Sequence, residues 1–137
     1  LDPDINKQMG YIILDNNNLT NLDLSKFYSL GVLSVSNNIN LETIKLPDDD
    51  QNQELTQVSL ENCSLENLSI NNLSRLRFLF IRENNLNSID VSQNTILIDF
   101  KVKNNPLTCI KVNETQIDNI PVGWEKDSDD IYSLGCN

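Results

Sequence analysis

The sequence predicts a β-rich solenoid. Its expected form is a right-handed superhelix with a parallel concave β-sheet, short extended or 3₁₀ convex segments, and few or no helices. Three observations carry this. First, one apolar template, L-x-x-L-x-L, recurs in eleven consecutive copies, starting at Met9, Leu19, Leu30, Leu41, Leu55, Leu65, Leu76, Leu86, Leu97, Leu107 and Ile117. All 33 template positions are apolar, where an overall apolar fraction of 39% would place about 13 by chance. Second, the starts lie 10 or 11 residues apart, with 14 only between Leu41 and Leu55, so two copies make one 21-residue coil. Third, the last two apolar residues of each copy alternate with polar ones, as in Leu33-Ser34-Val35 and Leu68-Ser69-Ile70. That period of two belongs to a strand with one buried face.

Each coil should then hold two short strands facing each other across a narrow core. A single coil cannot bury both rows. Stacked coils lie roughly 4.8 Å apart and pair as parallel strands. Each buried Leu or Ile contributes on the order of 1.5–3 kcal/mol, largely offset by the ordering of the backbone.

The two halves of a coil differ at the ninth template position. After alternate copies that position holds Asn17, Asn38, Cys63, Asn84 and Asn105. The unit becomes L-x-x-L-x-L-x-x-N/C-x-L, the leucine-rich-repeat signature. Where the chain bends away from a strand, backbone groups lose their ladder partners, and a buried carboxamide supplies donors and an acceptor to replace them. Cys63 fills the same slot as a small, weakly donating residue, so its reading is structural rather than reactive. Copies with this ladder should form the concave sheet. A three-sided parallel β-helix would also give stacked short strands, but the alternating asparagine slot favours the leucine-rich-repeat form.

The whole chain reads as one domain: a half-coil over 1–8, five coils over 9–116 with an insertion at 47–53, and a last strand with a C-terminal cap over 117–137. Leu1-Asp2-Pro3 lies 21 residues before Leu22-Asp23-Leu24. The chain is therefore expected to start inside a convex half-coil, with further coils of a parent chain upstream. At the other end Ile117, Ile120 and Val122 form the last copy, and Pro121 would remove a donor from an exposed edge strand. Trp124, Ile131, Tyr132 and Leu134 are expected to cover the open core, with Glu125, Asp127, Asp129 and Asp130 outermost. Ile39 or a neighbour is an extra residue in its coil. In the insertion Pro47–Gln53, the run Asp48, Asp49, Asp50 meets no calcium-loop spacing and reads as a solvated loop.

Composition narrows the function. The net charge of -10 argues against nucleic acid or an anionic membrane as partner, and no apolar run approaches the ~18 residues needed to span a bilayer. The chain contains no histidine, which removes the commonest general base and metal ligand. Cys63, Cys109 and Cys136 are too dispersed for a metal site and read as one pair plus one buried thiol. No cofactor is expected. The sequons at Asn18 and Asn113 arise from repeat asparagines and say little about glycosylation.

The units NNNLTNLDLS and ENNLNSIDVSQNT resemble those of bacterial secreted and surface leucine-rich-repeat proteins, over essentially the whole chain. The segment NPLTCIKV, followed by Trp124, Tyr132-Ser133 and Cys136, is similar to the closing segment of that group. The resemblance implies a Cys109–Cys136 disulfide, export to the medium or cell surface, and binding of proteins or glycans, including adhesion. The chain departs from the group in its Pro47–Gln53 insertion and in Cys63.

Template arithmetic lists the side chains expected on the open face of the concave sheet. The third position gives Tyr11, Val32, Gln57, Phe78 and Asp99; the fifth gives Ile13, Ser34, Ser59, Phe80 and Lys101; the seventh gives Asp15, Ser36, Glu61, Arg82 and Lys103. Phe78 and Phe80 with Arg82, Lys101 and Lys103 make a basic, aromatic spot, and Tyr11, Ile13 and Val32 a second apolar one. Exposed aromatics beside arginine have the composition of a binding hot spot. Against this, Glu61, Arg82 and Lys103 could form only a cross-strand charge ladder. The leading expectation is a non-enzymatic module that binds a protein or glycan. A structural spacer comes second. A glycan-cleaving enzyme using Glu61 with Asp99 or Glu83 comes last, because no nucleophile motif supports it.

Overall fold

The computed structural model describes residues 8–47 and 54–136. The Leu1-Asp2-Pro3 half-coil and the aspartates Asp48–Asp50 lie outside them; Pro47, where the insertion begins, is buried. Six strands stack in parallel as the concave sheet: β1 (Tyr11–Ile13), β3 (Val32–Ser34), β5 (Gln57–Ser59), β6 (Phe78–Phe80), β8 (Asp99–Lys101) and β10 (Gly123–Glu125). The register is strict, so that Ile12, Leu33, Val58, Leu79, Phe100 and Trp124 form one inward row. Between them run the convex strands β2 (Asn21–Asp23), β4 (Thr43–Lys45), β7 (Ser88–Asp90), β9 (Cys109–Lys111) and β11 (Tyr132–Ser133).

The convex row is split. β2 pairs with β4, and β9 pairs with both β7 and β11, while the equivalent residues 67–69 of the third coil form no ladder. The convex halves are extended segments and turns, and among the described residues none is 3₁₀. The core lies between the two rows. Leu30, Leu33, Val35, Leu76, Leu79 and Ile81 are fully enclosed, each Leu or Ile removing on the order of 1.5–3 kcal/mol of apolar surface from water.

Two turn devices recur with the coil. At the eighth template position Asn16, Asn37, Asn62, Glu83 and Asn104 all adopt positive φ, between 52° and 60°. This left-handed residue turns the chain off the concave strand, and asparagine tolerates it better than most residues. One residue later stands the ladder. Asn84 Nδ2 donates to Leu60 O (2.7 Å) in the preceding coil and to Ile81 O in its own, while its Oδ1 accepts from Leu65 N (3.1 Å). Asn38 and Asn105 repeat the pattern. Cys63 Sγ reaches Val35 O and Glu61 O, and burial pushes its thiol pKa up, which suits an inert structural thiol.

The last coil departs from the sequence expectation. Ile117, Ile120 and Val122 do not form a buried copy of the template: they are 37%, 36% and 106% exposed. A short helix, α1 (Glu114–Asp118), takes up Ile117, and Ile120 and Val122 lie in the loop that follows. Its capping box explains why. Asn113 Oδ1 accepts from Gln116 N, and Gln116 Oε1 accepts from Asn113 N, both at 2.9 Å. The helix delays the next concave strand, so Trp124 rather than Ile120 enters the core beside Phe100. The two rings meet edge to face with centroids 5.4 Å apart, and Trp124 Nε1 donates to Leu97 O (3.1 Å). Pro121 therefore stands in the turn before β10 and accepts from Trp124 N. Tyr132 packs on Trp124, whereas Ile131 and Leu134, expected as cover, are 61% and 49% exposed. Asp130, expected outside, is buried. Cys109 and Cys136 are bonded, with Cα atoms 5.7 Å apart, and clip this closing segment to β9.

Candidate ligand-binding face

The open face of the concave sheet is a floor of three rows running across the strands. β1, β3, β5, β6 and β8 bring the third- and fifth-position residues side by side, neighbouring strands lying roughly 4.8 Å apart. Phe78 and Phe80 are both half-buried on this face of β6, and the Arg77 guanidinium lies over the Phe78 ring, 5.8 Å from its centroid. Gln57 and Asp99 flank Phe78; Ser59 and Lys101 flank Phe80. Tyr11 and Ile13 stand three strands away, 74% and 68% exposed, beside half-buried Val32. The two apolar spots are separate, divided by Ser34, Gln57 and Ser59.

The charges on the floor are not free. Arg82 Nε donates to Glu61 Oε1 on the neighbouring strand. Lys101 Nζ lies 2.9 Å from Glu125 Oε1 and 3.2 Å from Asp99 Oδ1, and Lys103 Nζ lies 3.9 Å from Glu125 Oε2. Hydrogen bonding to Glu125 raises the Lys101 pKa, and the reciprocal bond lowers that of Glu125. The pairing with Glu61 likewise raises Arg82. The spot around the phenylalanines, expected to be basic, is thus three cations matched by three carboxylates. Glu125 makes the difference, since it lies on β10 and joins the floor only because the last strand is displaced.

Toward β1 the floor is tied together by hydrogen bonds. Asp15 Oδ1 accepts from Ser34 Oγ and Ser36 N, both at 2.7 Å. Ser36 Oγ lies 3.1 Å from Ser59 Oγ and accepts from Glu61 N. Ser36, expected to point outward, is in fact buried by this network. Glu61 and Asp99, the pair considered for glycoside cleavage, are each committed to a cation, and Glu83 sits on an exposed left-handed turn. Among the described residues no group of three or more His, Cys, Asp or Glu side chains could hold a metal ion.

Sequence reasoning missed a second ladder on the convex side. Asn94, fully buried, donates from Nδ2 to Ile70 O (2.9 Å) and Leu73 O (3.0 Å), and Gln116 Nε2 donates to Val91 O and Asn94 O in turn. Its signal was present, because Asn94 occupies the ninth position of a convex copy. Asn113, one of the sequon asparagines, has its carboxamide committed at both ends, to Gln116 N and Ser92 O.

No protein-family model matches the chain, and neither does any curated protein. Among solved structures it is similar to the functional domain of InlJ from Listeria monocytogenes, which includes a cysteine ladder. The TM-score is 0.50 at 23% identity, covering 77% of this chain and 27% of that one. The fold is a leucine-rich-repeat solenoid. The chain spans little more than a quarter of the structure it matches. In this chain the concave ladder is asparagine, with cysteine only at Cys63.

Proposed function

We propose that the protein is a non-catalytic binding module that offers its concave sheet to a protein or glycan, in the manner of exported bacterial leucine-rich-repeat proteins. One observation carries the reading: Phe78 and Phe80 lie half exposed on the open face of β6, held in place by a rigid, internally neutralised floor. Aromatic side chains fixed in this way bind without losing much rotamer freedom, which is the usual make-up of a hot spot. Tyr11 and Ile13 extend the same face at its other end. Secretion or cell-surface display, and a part in adhesion, fit the Cys109–Cys136 disulfide, which persists in oxidising compartments.

The test is a binding screen over immobilised extracellular proteins and glycans, with wild type beside Phe78→Ser/Phe80→Ser. Circular dichroism confirms that both fold. A ligand held by wild type and lost by the variant is the expected result; ligands indifferent to the variant would refute the reading. The spacer reading has its own support, namely that Arg82, Lys101 and Lys103 are all paired within the floor. It expects no ligand for this face at all.

A further inference from the structure

The rim where the chain enters the concave strands carries aliphatic residues that the solenoid does not require. One position ahead of the paired residues, Arg77 beside β6 is followed in register by Ile98 beside β8 and Val122 beside β10; two positions further out, Arg75 is followed by Ile96 and then by Ile120. Ile96, Ile98 and Ile120 are 46%, 44% and 36% exposed, and Val122 is fully so. In earlier coils the same two rows hold Ser29 and Gly31, then Glu54 and Thr56. Polar residues thus satisfy the turn, and four adjacent exposed aliphatics need another reason. The strip joins the concave floor through Phe78, over which Arg77 lies.

Two cations beside the strip are left without a carboxylate, as are Lys26 and Lys126 elsewhere among the described residues. Lys45, Arg82, Lys101, Lys103 and Lys111 each have a carboxylate partner. Arg75 and Arg77 make no ion pair among the described residues. Uncompensated guanidinium groups next to exposed aliphatic side chains match a surface that combines apolar side chains with carboxylates.

We propose that this strip, continuous with Phe78, is a docking surface for an acidic, aliphatic-rich polypeptide segment of a partner protein. The inference rests on the binding-module reading and names the partner's chemistry. Val122 and Ile98 would be the apolar anchors, and Arg75 and Arg77 would take the carboxylates.

The probe is a displayed library of random dodecapeptides selected on the folded wild-type chain. The expected peptides place Leu, Ile or Val next to Asp or Glu. Their affinity should fall about tenfold or more in Val122→Asp and at least about threefold in Arg75→Glu/Arg77→Glu. The arginine variant should also lose the salt dependence seen in wild type, and Lys111→Glu on the convex side should change nothing. Peptides lost in Phe80→Asp but kept by both rim variants would overturn the inference while leaving the binding module standing. Peptides indifferent to all of these variants, or no enrichment, would overturn both. Sedimentation is run in parallel. A wild-type dimer that Val122→Asp renders monomeric would assign the strip to a second copy, and arginine-dependent capture by anionic vesicles would assign it to a bilayer. Either result overturns the proposal.

Discussion

Leu41 donates its amide to the carbonyl of Asn38, within its own coil, at 2.9 Å. The equivalent leucines, Leu19, Leu65 and Leu86, donate instead to the side-chain oxygen of an asparagine one coil further on. The difference has two sources that fit each other. The residue that would accept from Leu41 is Cys63, which has no carboxamide oxygen. Its coil partner carries the extra residue, Ile39, and that residue gives the chain enough length to turn Leu41 N back onto Asn38.

Insertion and substitution should therefore be coupled. Deleting Ile39 alone strands the Leu41 amide and is expected to cost about 1–3 kcal/mol. Cys63→Asn alone adds a buried oxygen with no free amide and should cost about 1 kcal/mol. The double variant restores the regular coil, and its cost should fall short of the sum by at least about 1 kcal/mol. Urea denaturation of the four proteins measures this.

Asn84→Ala should rank among the most damaging substitutions, at about 3 kcal/mol or more. It leaves Leu60 O and Leu65 N in the interior without partners, while Ile81 O keeps its bond from Asn105 Nδ2. Asn17, exposed and bonded only to carbonyls of its own coil, should cost about 1 kcal/mol when changed to Ala. The same denaturation series compares the two.

Glu83 is the odd member of the left-handed row, with φ of 58° where the other coils place asparagine. Glu83→Asn is expected to stabilise by about 0.5–1 kcal/mol, because asparagine accepts that backbone more readily. Its side chain is exposed and absent from every ion pair on the floor, so ligand binding should be untouched.

Gly123 permits the close approach of β10 to β8. A Cβ there would stand 2.6 Å from Ile98 O and 3.3 Å from Asp99 Cα, both backbone atoms unable to swing aside. Gly123→Ala should cost about 1–3 kcal/mol and weaken the Lys101–Glu125 pairing. A thermal melt would check the first effect and the acid titration below the second.

Acid should destabilise the fold through a small set of carboxylates. Asp23 is held below its ordinary 3.8 by hydrogen bonds from Ser25, and Glu125 below 4.5 by Lys101. At Asp90 burial pushes the pKa up, but bonds from Ser92 and Lys111 outweigh it and the net shift is downward from 3.8. Lowered folded values mean that these contributions are complete above the unfolded values and vanish as pH falls through the folded ones. Stability should hold from about pH 7 to about pH 5 and decline below about pH 4. Asp130 has the opposite sign, since burial raises its pKa above 3.8. Asp130→Asn should thus be more stable than wild type at neutral pH and lose that advantage on acidification. Denaturation midpoints across pH would decide both.

Reducing Cys109–Cys136 opens a closure spanning 27 residues and should cost about 3–4 kcal/mol, leaving the inward concave row intact as far as Phe100. A melt with and without reductant measures it, and Cys63→Ser should respond to reductant as wild type does.

The repeat was legible because one period of 21 residues fixes both the inward rows and the ladder. Leu33, Leu79 and Phe100 lie where the template puts them. What failed was local chemistry that overrode the period. Ile117, Ile120 and Val122 satisfy the template in sequence, yet the capping box of Asn113 and Gln116 starts a helix that takes up Ile117 and leaves Ile120 and Val122 in the loop after it. The capping pattern was readable; that it would outcompete a complete apolar copy was not. The error carried to the candidate face, since without β10 there was no Glu125 to neutralise Lys101 and Lys103. The positive φ at Glu83 was invisible because it belongs to the backbone of the turn.

On the proposed function, the open face of β6 is where a ligand sits. Chemical-shift mapping with the strongest hit from the binding screen tests it most directly. Perturbations should centre on Phe78 and Phe80 and extend to Gln57 and Ser59, with Ser69, Ser88 and Lys111 on the convex side unchanged. Perturbations confined to the convex residues would contradict it.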